Sequence, residues 1–320
     1  MASITQTVDH VGEDLTMFPS EKHYAPLWTV LDKMVPPRPN PRAVPTVWRY
    51  NEMRPDLMKA GSIVTAEEAE RRVLMLVNSN IEPPYTTDTI YGGLQLVLPG
   101  ETAPAHRHVA FALRFIIEGE HGFTAIEGQK ISMEIGDVIL TPSWCWHDHG
   151  NEGTKPMVWL DGLDLPLFRN VPVNFAENYT SSRYPAIASE ESPIQFPWRD
   201  VQNALDGDKL PYTIYHYSRK GQRHLSNTIS AQAERLDAGF TASPRQETCS
   251  FLYHVKSGEG VSNLITSDGN KTEIRWKEKD TFVVPAWCRI EHTCSSAEPA
   301  YLFAINDRPL LESLGLVRRA

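Results

Sequence analysis

Gly100-Glu-Thr-Ala-Pro-Ala-His106-Arg-His108 and Gly136-Asp137-Val-Ile-Leu-Thr-Pro142-Ser-Trp-Cys-Trp-His147-Asp148-His149-Gly150-Asn151 bracket a segment whose histidines govern the reading of the whole chain. His106 and His108 are two residues apart, so on a strand both side chains point to one face. His147 arrives on a different strand, after a Gly136-Asp137 turn and a strand end marked by Pro142. Two imidazoles from one strand and one from a facing strand is an arrangement with which a small β-barrel holds an ion in its mouth.

Outward from this segment, residues 85–165 read as short strands separated by Gly, Pro and Asp. Leu94–Leu98, Ala112–Ile117, Phe123–Ile126, Val138–Thr141 and Met157–Leu160 are the candidates. Their spacing suggests an antiparallel sandwich or barrel. Residues 1–84 read as a mixed helical arm. Tyr24 to Val35 carries Leu27, Trp28, Leu31 and Met34 at helical spacing, and five prolines between Pro36 and Pro45 suit an extended strap. Thr65-Ala-Glu-Glu68 resembles a capping box opening a short helix to about Arg72, before a buried strand at Val73–Val77. Residues 166–227 read as a long connection.

From about residue 228 the strand pattern returns as a repeat. Gly100-x5-His106-Arg-His108 lines up with Gly239-x5-Arg245-Gln-Glu247, and Leu113 to Gly119 with Leu252 to Gly258. Asp137 to Cys145 lines up with Asp280 to Cys288. The second copy has Arg245, Glu247 and Ile290 where the first has His106, His108 and His147. Ile290 cannot ligate a metal. The first barrel is therefore expected to carry the chemistry, and residues 228–320 to form a degenerate, structural one.

Composition excludes several roles. A net charge of -9 offers no basic stripe for phosphates, which argues against nucleic acid. No apolar run approaches the ~20 residues of a membrane span. Met1-Ala-Ser-Ile-Thr-Gln-Thr-Val-Asp-His10 lacks the charged-then-apolar pattern of a signal peptide. Cys145, Cys249, Cys288 and Cys294 form no CxxC pair, which favours a reducing, cytoplasmic setting.

The two phrases of the opening segment match the cupin patterns G-x5-H-x-H and G-x5-P-x-G-x2-H-x3-N, with Trp144 in place of the inner Gly. From about Ala43 onward the chain resembles the gentisate 1,2-dioxygenase family, which includes salicylate and 1-hydroxy-2-naphthoate dioxygenases. Trp146-His-Asp-His-Gly-Asn151 and Asp161-Gly-Leu-Asp164 are the most specific phrases. The resemblance implies an all-β bicupin: two tandem double-stranded β-helix (jelly-roll) barrels behind a mixed helical N-terminal arm. It also implies Fe(II) on His106, His108 and His147, a small aromatic acid substrate cleaved with O2, and a homo-oligomer, commonly a tetramer. Many cupins supply a fourth, carboxylate ligand where this chain has Ala112 or Leu113. Three neutral imidazoles leave about three positions of an octahedral ion open.

Further site residues follow. Arg114 shares strand parity with the ligands if the strand is unbroken, and the family's corresponding Arg is an active-site residue. His149 lies on the face of His147, and the resemblance makes it an acid/base. Asp161 is positioned either to orient His149 or to cap a turn. Gln95, on the strand before the first motif, is a candidate hydrogen-bonding residue of the substrate pocket. Of Arg71 and Arg72 only one can face the pocket, and Arg72 is the choice. Tyr91, Trp144 and Trp146 read first as core, with Tyr91 carried as a substrate contact. Phe111 is expected to narrow or grease the pocket. The competing readings are another cupin metalloenzyme and a non-enzymatic ligand-binding or storage bicupin. The retained ligands beside Arg114 and His149 disfavour storage.

Overall fold

The structure, a computed structural model, describes residues 23–320. Met1–His10, read above for the absence of a signal sequence, lies outside the described residues. Residues 1–40 and 41–320 form two separate compact units. In the described part of the first, the stretch from Tyr24 to Val35 is not one helix. It forms a 3-10 turn at Leu27–Thr29 and a short helix at Leu31–Met34. Val35 precedes Pro36, and a residue before proline is disfavoured in the α region.

The second unit is two barrels of paired sheets. The first barrel has a sheet ordered Gln195–Phe196, Val138–Thr141, Ala112–Glu118, Met157–Leu163, Tyr91–Val97, Val73–Met75. Facing it is a sheet ordered Ala176–Asn178, Thr102–His108, His147–Asn151, Gly122–Ile126, Gln129–Met133, Ile187–Ser189. The second barrel repeats the plan. One sheet runs Thr46–Trp48, Thr281–Val284, Phe251–Ser257, Ala300–Asn306, Ser230–Leu236, Tyr212–His216. The other runs Arg245–Gln246, Arg289–Cys294, Glu259–Ile265, Lys271–Lys277.

The repeat extends further than the motifs. Each copy opens with a short edge strand, a helix and a second strand, before its barrel begins. In the first these are Thr46–Trp48, Tyr50–Ile63 and Val73–Met75; in the second, Gln195–Phe196, Trp198–Gly207 and Tyr212–His216. Each opening strand pairs with the other copy's barrel: Val47 with Phe282, and Phe196 with Val138. A buried aspartate then receives the first backbone N–H of the following helix. Asp280 accepts from Tyr50 at 3.2 Å, and Asp137 from Trp198 at 2.9 Å. The carboxylates neutralise the helix N-termini as capping groups do.

The capping box at Thr65 forms, with Glu68 on the Thr65 N–H at 3.0 Å and Thr65 Oγ1 receiving the Glu68 N–H at 3.1 Å. It opens only a turn, because Glu70 adopts φ +53. The strand that follows is shorter than expected, Val73–Met75, and lies at a sheet edge.

The barrels meet sheet to sheet. Phe115 stacks on Phe303 with centroids 4.4 Å apart. A Cβ on Gly92 would lie 2.5 Å from Leu252 Cδ2, and one on Gly162 2.3 Å from Ile305 Cδ1. Two reciprocal clasps close the joint. Thr228 Oγ1 donates to Asp164 at 2.6 Å, and Thr89 Oγ1 donates to Asp307 at 2.6 Å. Burial pushes Asp307 up from 3.8 to about 6. A carboxyl raised on folding binds extra protons in the native state, so its contribution to stability falls as pH rises from about 4 to about 6. Asp307→Asn keeps the shape and removes that charge. The variant is expected to be more stable than the parent at pH 7.5, by on the order of 1–3 kcal/mol. The gap should close on acidification toward pH ~4. Urea melts across this range check the sign.

Candidate metal centre and its cavity

Thr102–His108 and His147–Asn151 pair directly, with His106 opposite His147. The three imidazoles of His106, His108 and His147 converge, and one ring nitrogen from each lies within 4.8 Å of the other two. Each Nδ1 meets a backbone carbonyl: Pro104 at 2.9 Å, Ala110 at 2.8 Å and Cys145 at 2.9 Å. A carbonyl only accepts, so each Nδ1 carries the proton and each Nε2 offers a lone pair. His106 Nε2 does accept, from Arg71 Nε at 2.8 Å. His147 Nε2 is buried without a partner. Burial, and then the Arg71 charge, push His106 down to about 2. Burial lowers His108 to about 4, and lowers His147 as well. Three neutral, pre-oriented nitrogens suit a borderline divalent ion.

The backbone that holds the ligands is duplicated too. Trp144 donates its N–H to the carbonyl of His108 at 2.8 Å, and Trp287 to that of Glu247 at 2.7 Å. Both tryptophans sit at positive φ, +64 and +59. The cupin pattern's glycine position thus retains its left-handed backbone after the side chain has changed.

A cavity of about 290 Å³ opens beside the imidazoles. Arg114 reaches it, but not by the parity argument. Residues 109–111 leave the strand, and Arg114 enters from the facing sheet at Ala112–Glu118. It is 3% exposed, donates to Thr141 Oγ1 at 2.5 Å and lies 3.5 Å from Asp161. Burial raises Asp161 to about 6, against the pull of Arg114. Asp161 accepts from the Trp159 indole at 3.0 Å. Its partners among the described residues are therefore Trp159 and Arg114, and His149 is not one of them. His149 packs edge-on to Trp159, with Nδ1 unpartnered. Burial first, then the Arg114 charge, hold it neutral. Gln95 lines the cavity with a free Nε2, and Tyr91 lines it with a phenol raised by burial and by Asp161.

Two expectations need correction. Arg72 is not at the cavity. It turns away, with Nη1 on the Val64 carbonyl at 2.8 Å and on Glu101 at 2.9 Å. Its neighbour Arg71 lines the cavity instead. Phe111 does not line it either, and packs in the core. Sequence reasoning missed Asn174, Phe175 and Ala176, which close one wall. They lie in the stretch read as a connection. Ala176 pairs with His108, and the Val109 N–H bonds the Phe175 carbonyl at 3.1 Å. No local pattern announces a three-residue strand added at a sheet edge. Val73, Ala112, Leu163 and Leu165 complete the apolar lining. Two guanidinia against one raised carboxyl favour a small anion with an apolar body.

The second barrel answers position by position. Arg245, aligned with His106, sends its guanidinium onto Glu234 at 2.7 Å and onto the Tyr212 and Tyr253 hydroxyls. Burial would raise Glu234, but Arg245 and His292 hold it down to about 2. A built-in cation occupies the corresponding place there.

The cupin domain family matches residues 93–163. Gentisate 1,2 dioxygenase 1 of Aquipseudomonas alcaligenes is 35% identical over 92% of this chain and 92% of its own. 5-Aminosalicylate 1,2-dioxygenase of a Comamonas species is 33% identical over 99% of this chain and 91% of its own. Among solved structures, a salicylate 1,2-dioxygenase mutant from Pseudoaminobacter salicylatoxidans in complex with gentisate superposes with a TM-score of 0.88 at 29% identity. That match covers 99% of this chain and 98% of the other.

Proposed function

The chain belongs to the gentisate 1,2-dioxygenase family of bicupin ring-cleaving oxidoreductases, and on that premise we propose that it is an Fe(II) enzyme opening the ring of a hydroxybenzoate, gentisate, between the carboxyl- and hydroxyl-bearing carbons. The observation that carries this reading is the three-imidazole cage beside an apolar cavity holding Arg71, Arg114 and His149. Held by His106, His108 and His147, Fe(II) supplies Lewis acidity toward a chelating hydroxy acid and redox chemistry toward O2.

The chain's own residues do the rest. Arg71 and Arg114 receive the substrate carboxylate and the negative charge that develops beside it. Val73, Leu163, Leu165 and Phe175 hold the ring faces and keep water out. Gln95 Nε2 and the Tyr91 hydroxyl donate to ring oxygens. His149, held neutral by burial and by the Arg114 charge, accepts the proton of the second ring hydroxyl. Asp161 positions Arg114. The first barrel, built on residues 85–165 with added strands at Val73–Met75, Ala176–Asn178, Ile187–Ser189 and Gln195–Phe196, is the catalytic one, and the barrel built on 228–320 with Thr46–Trp48 and Tyr212–His216 is structural. The protein works in the cytoplasm as a homo-oligomer, a tetramer by family resemblance. Among the described residues no helix is long and apolar enough to cross a membrane.

Iron-loaded protein is expected to consume O2 with gentisate, one molecule per ring opened, in an oxygen electrode. Faster turnover of salicylate or 1-hydroxy-2-naphthoate would move the substrate assignment. No uptake with any of the three would remove the ring-cleavage reading and favour a ligand-binding bicupin.

A further inference from the structure

The second barrel has kept a cavity in its mouth, of about 320 Å³. It lies where the first barrel has its own: Ile214 stands opposite Glu234 as Val73 stands opposite Gln95. Its walls differ. Arg223, Arg245, Arg308 and Arg319 line it, with Glu247 as the acid in the wall. We infer that this cavity binds a small, open-chain hydroxycarboxylate, one ligand per chain.

The charge inventory leads there. Arg245 is spent on Glu234, and Arg308 on Glu247 at 2.7 Å. Arg223 and His224 share Glu312, at 3.4 and 2.9 Å. Arg319 has only Glu247, already shared, at 3.8 Å. Four guanidinia thus share three side-chain carboxylates, which leaves one guanidinium in excess among these pairs. Arg308 is 8% exposed, and its Nη1 has no acceptor. A guanidinium fork matches a planar carboxylate.

The hydroxyl follows from Gln232, which is 2% exposed and part of the wall. Its Nε2 donates to Glu234 Oε1 at 2.6 Å. A carboxylate held low only accepts, so the amide cannot be turned round. Gln232 Oε1 is therefore a fixed acceptor, and it is buried without a donor. A ligand with both a carboxylate and a hydroxyl answers the Arg308 and Gln232 orphans; Glu247 Oε2, the third buried atom of this wall without a hydrogen bond, keeps its ion pair with Arg308. A ring does not suit: Ile214 is the apolar wall residue here, against Val73, Ala112, Leu163, Leu165 and Phe175 in the first cavity.

Calorimetric titration of the intact, metal-loaded chain with L-malate tests this. One site per chain is expected, with succinate, which lacks the hydroxyl, binding roughly three- to tenfold more weakly. Arg308→Gln should lose malate affinity at least ~tenfold. Arg319→Gln, at an exposed position and safe for folding, should lose it several-fold. Absence of malate binding overturns the inference. So does malate binding that survives both variants but vanishes in Arg114→Met, which would place the ligand in the first cavity. Inorganic phosphate binding as tightly as malate would also overturn it, by making the cavity a plain anion sink.

Discussion

His147→Ala is expected to leave the protein folded and nearly free of metal, while Glu247→Ala keeps its full complement. His147 is one of three donors, it sits on the strand opposite His106, and its Nε2 has no other use in the fold. A four-ligand protein site is worth roughly 10–16 kcal/mol, so about 3 per ligand and two to three orders of magnitude in affinity. Dialysis against a weak chelator followed by elemental analysis reads this directly. Glu247 is aligned with the ligand His108, but its carboxylate is already committed to Arg308. Removing it breaks a buried pair and should cost stability on the order of 3 kcal/mol, visible as a lower melting temperature at unchanged metal content. Equal metal loss from both variants would mean a second site. The asymmetry between the barrels, on which the functional reading stands, would then be gone.

The histidine pattern was legible because ligand spacing is a local fact. His106, Arg107 and His108 need only a strand to point two imidazoles one way, and Trp144-Cys-Trp-His147 needs only the turn that Pro142 begins. The repeat was legible for the same reason. Its full extent was not. Helix Tyr50–Ile63 buries only Tyr50 and Leu57 and carries Pro55, so it shows neither an apolar stripe nor an uninterrupted helical run. The exchanged strands Thr46–Trp48 and Gln195–Phe196 are too short to have a period. Both are defined by partners far along the chain, Trp48 by Thr281 and Phe196 by Val138, and not by any local pattern. The choice between Arg71 and Arg72 rested on Glu101, whose carboxylate claims Arg72 across a turn. Parity alone could not name which arginine that would be.

The two arginines left at the cavity should fail differently when removed, and Arg114 should fail harder. Arg114 is buried between Thr141 and Asp161, fixed before any substrate arrives. A preorganised donor of this kind acts on charge that develops during the reaction, and deleting one costs ~10²–10³ in kcat. Arg114→Met is expected to show that loss with KM little changed. Arg114→Lys should not rescue it, because an ammonium cannot span the Thr141 hydroxyl and the Asp161 carboxylate as the fork does. Arg71 is the more exposed, with 35% of its side chain accessible, and its ion-pair partner Glu70 stands 3.9 Å away. In the proposed role it would bond the substrate carboxylate before and during the reaction alike, so Arg71→Met should raise KM, about 10- to 100-fold, and spare kcat. Arg72→Met serves as the control: it breaks the Glu101 pair and should lower the melting temperature without moving KM. Steady-state oxygen uptake on the three variants separates these outcomes. An Arg114→Met enzyme within about threefold of the parent kcat would show that the buried guanidinium belongs to the scaffold, since uniform binding alone does not change the chemical step.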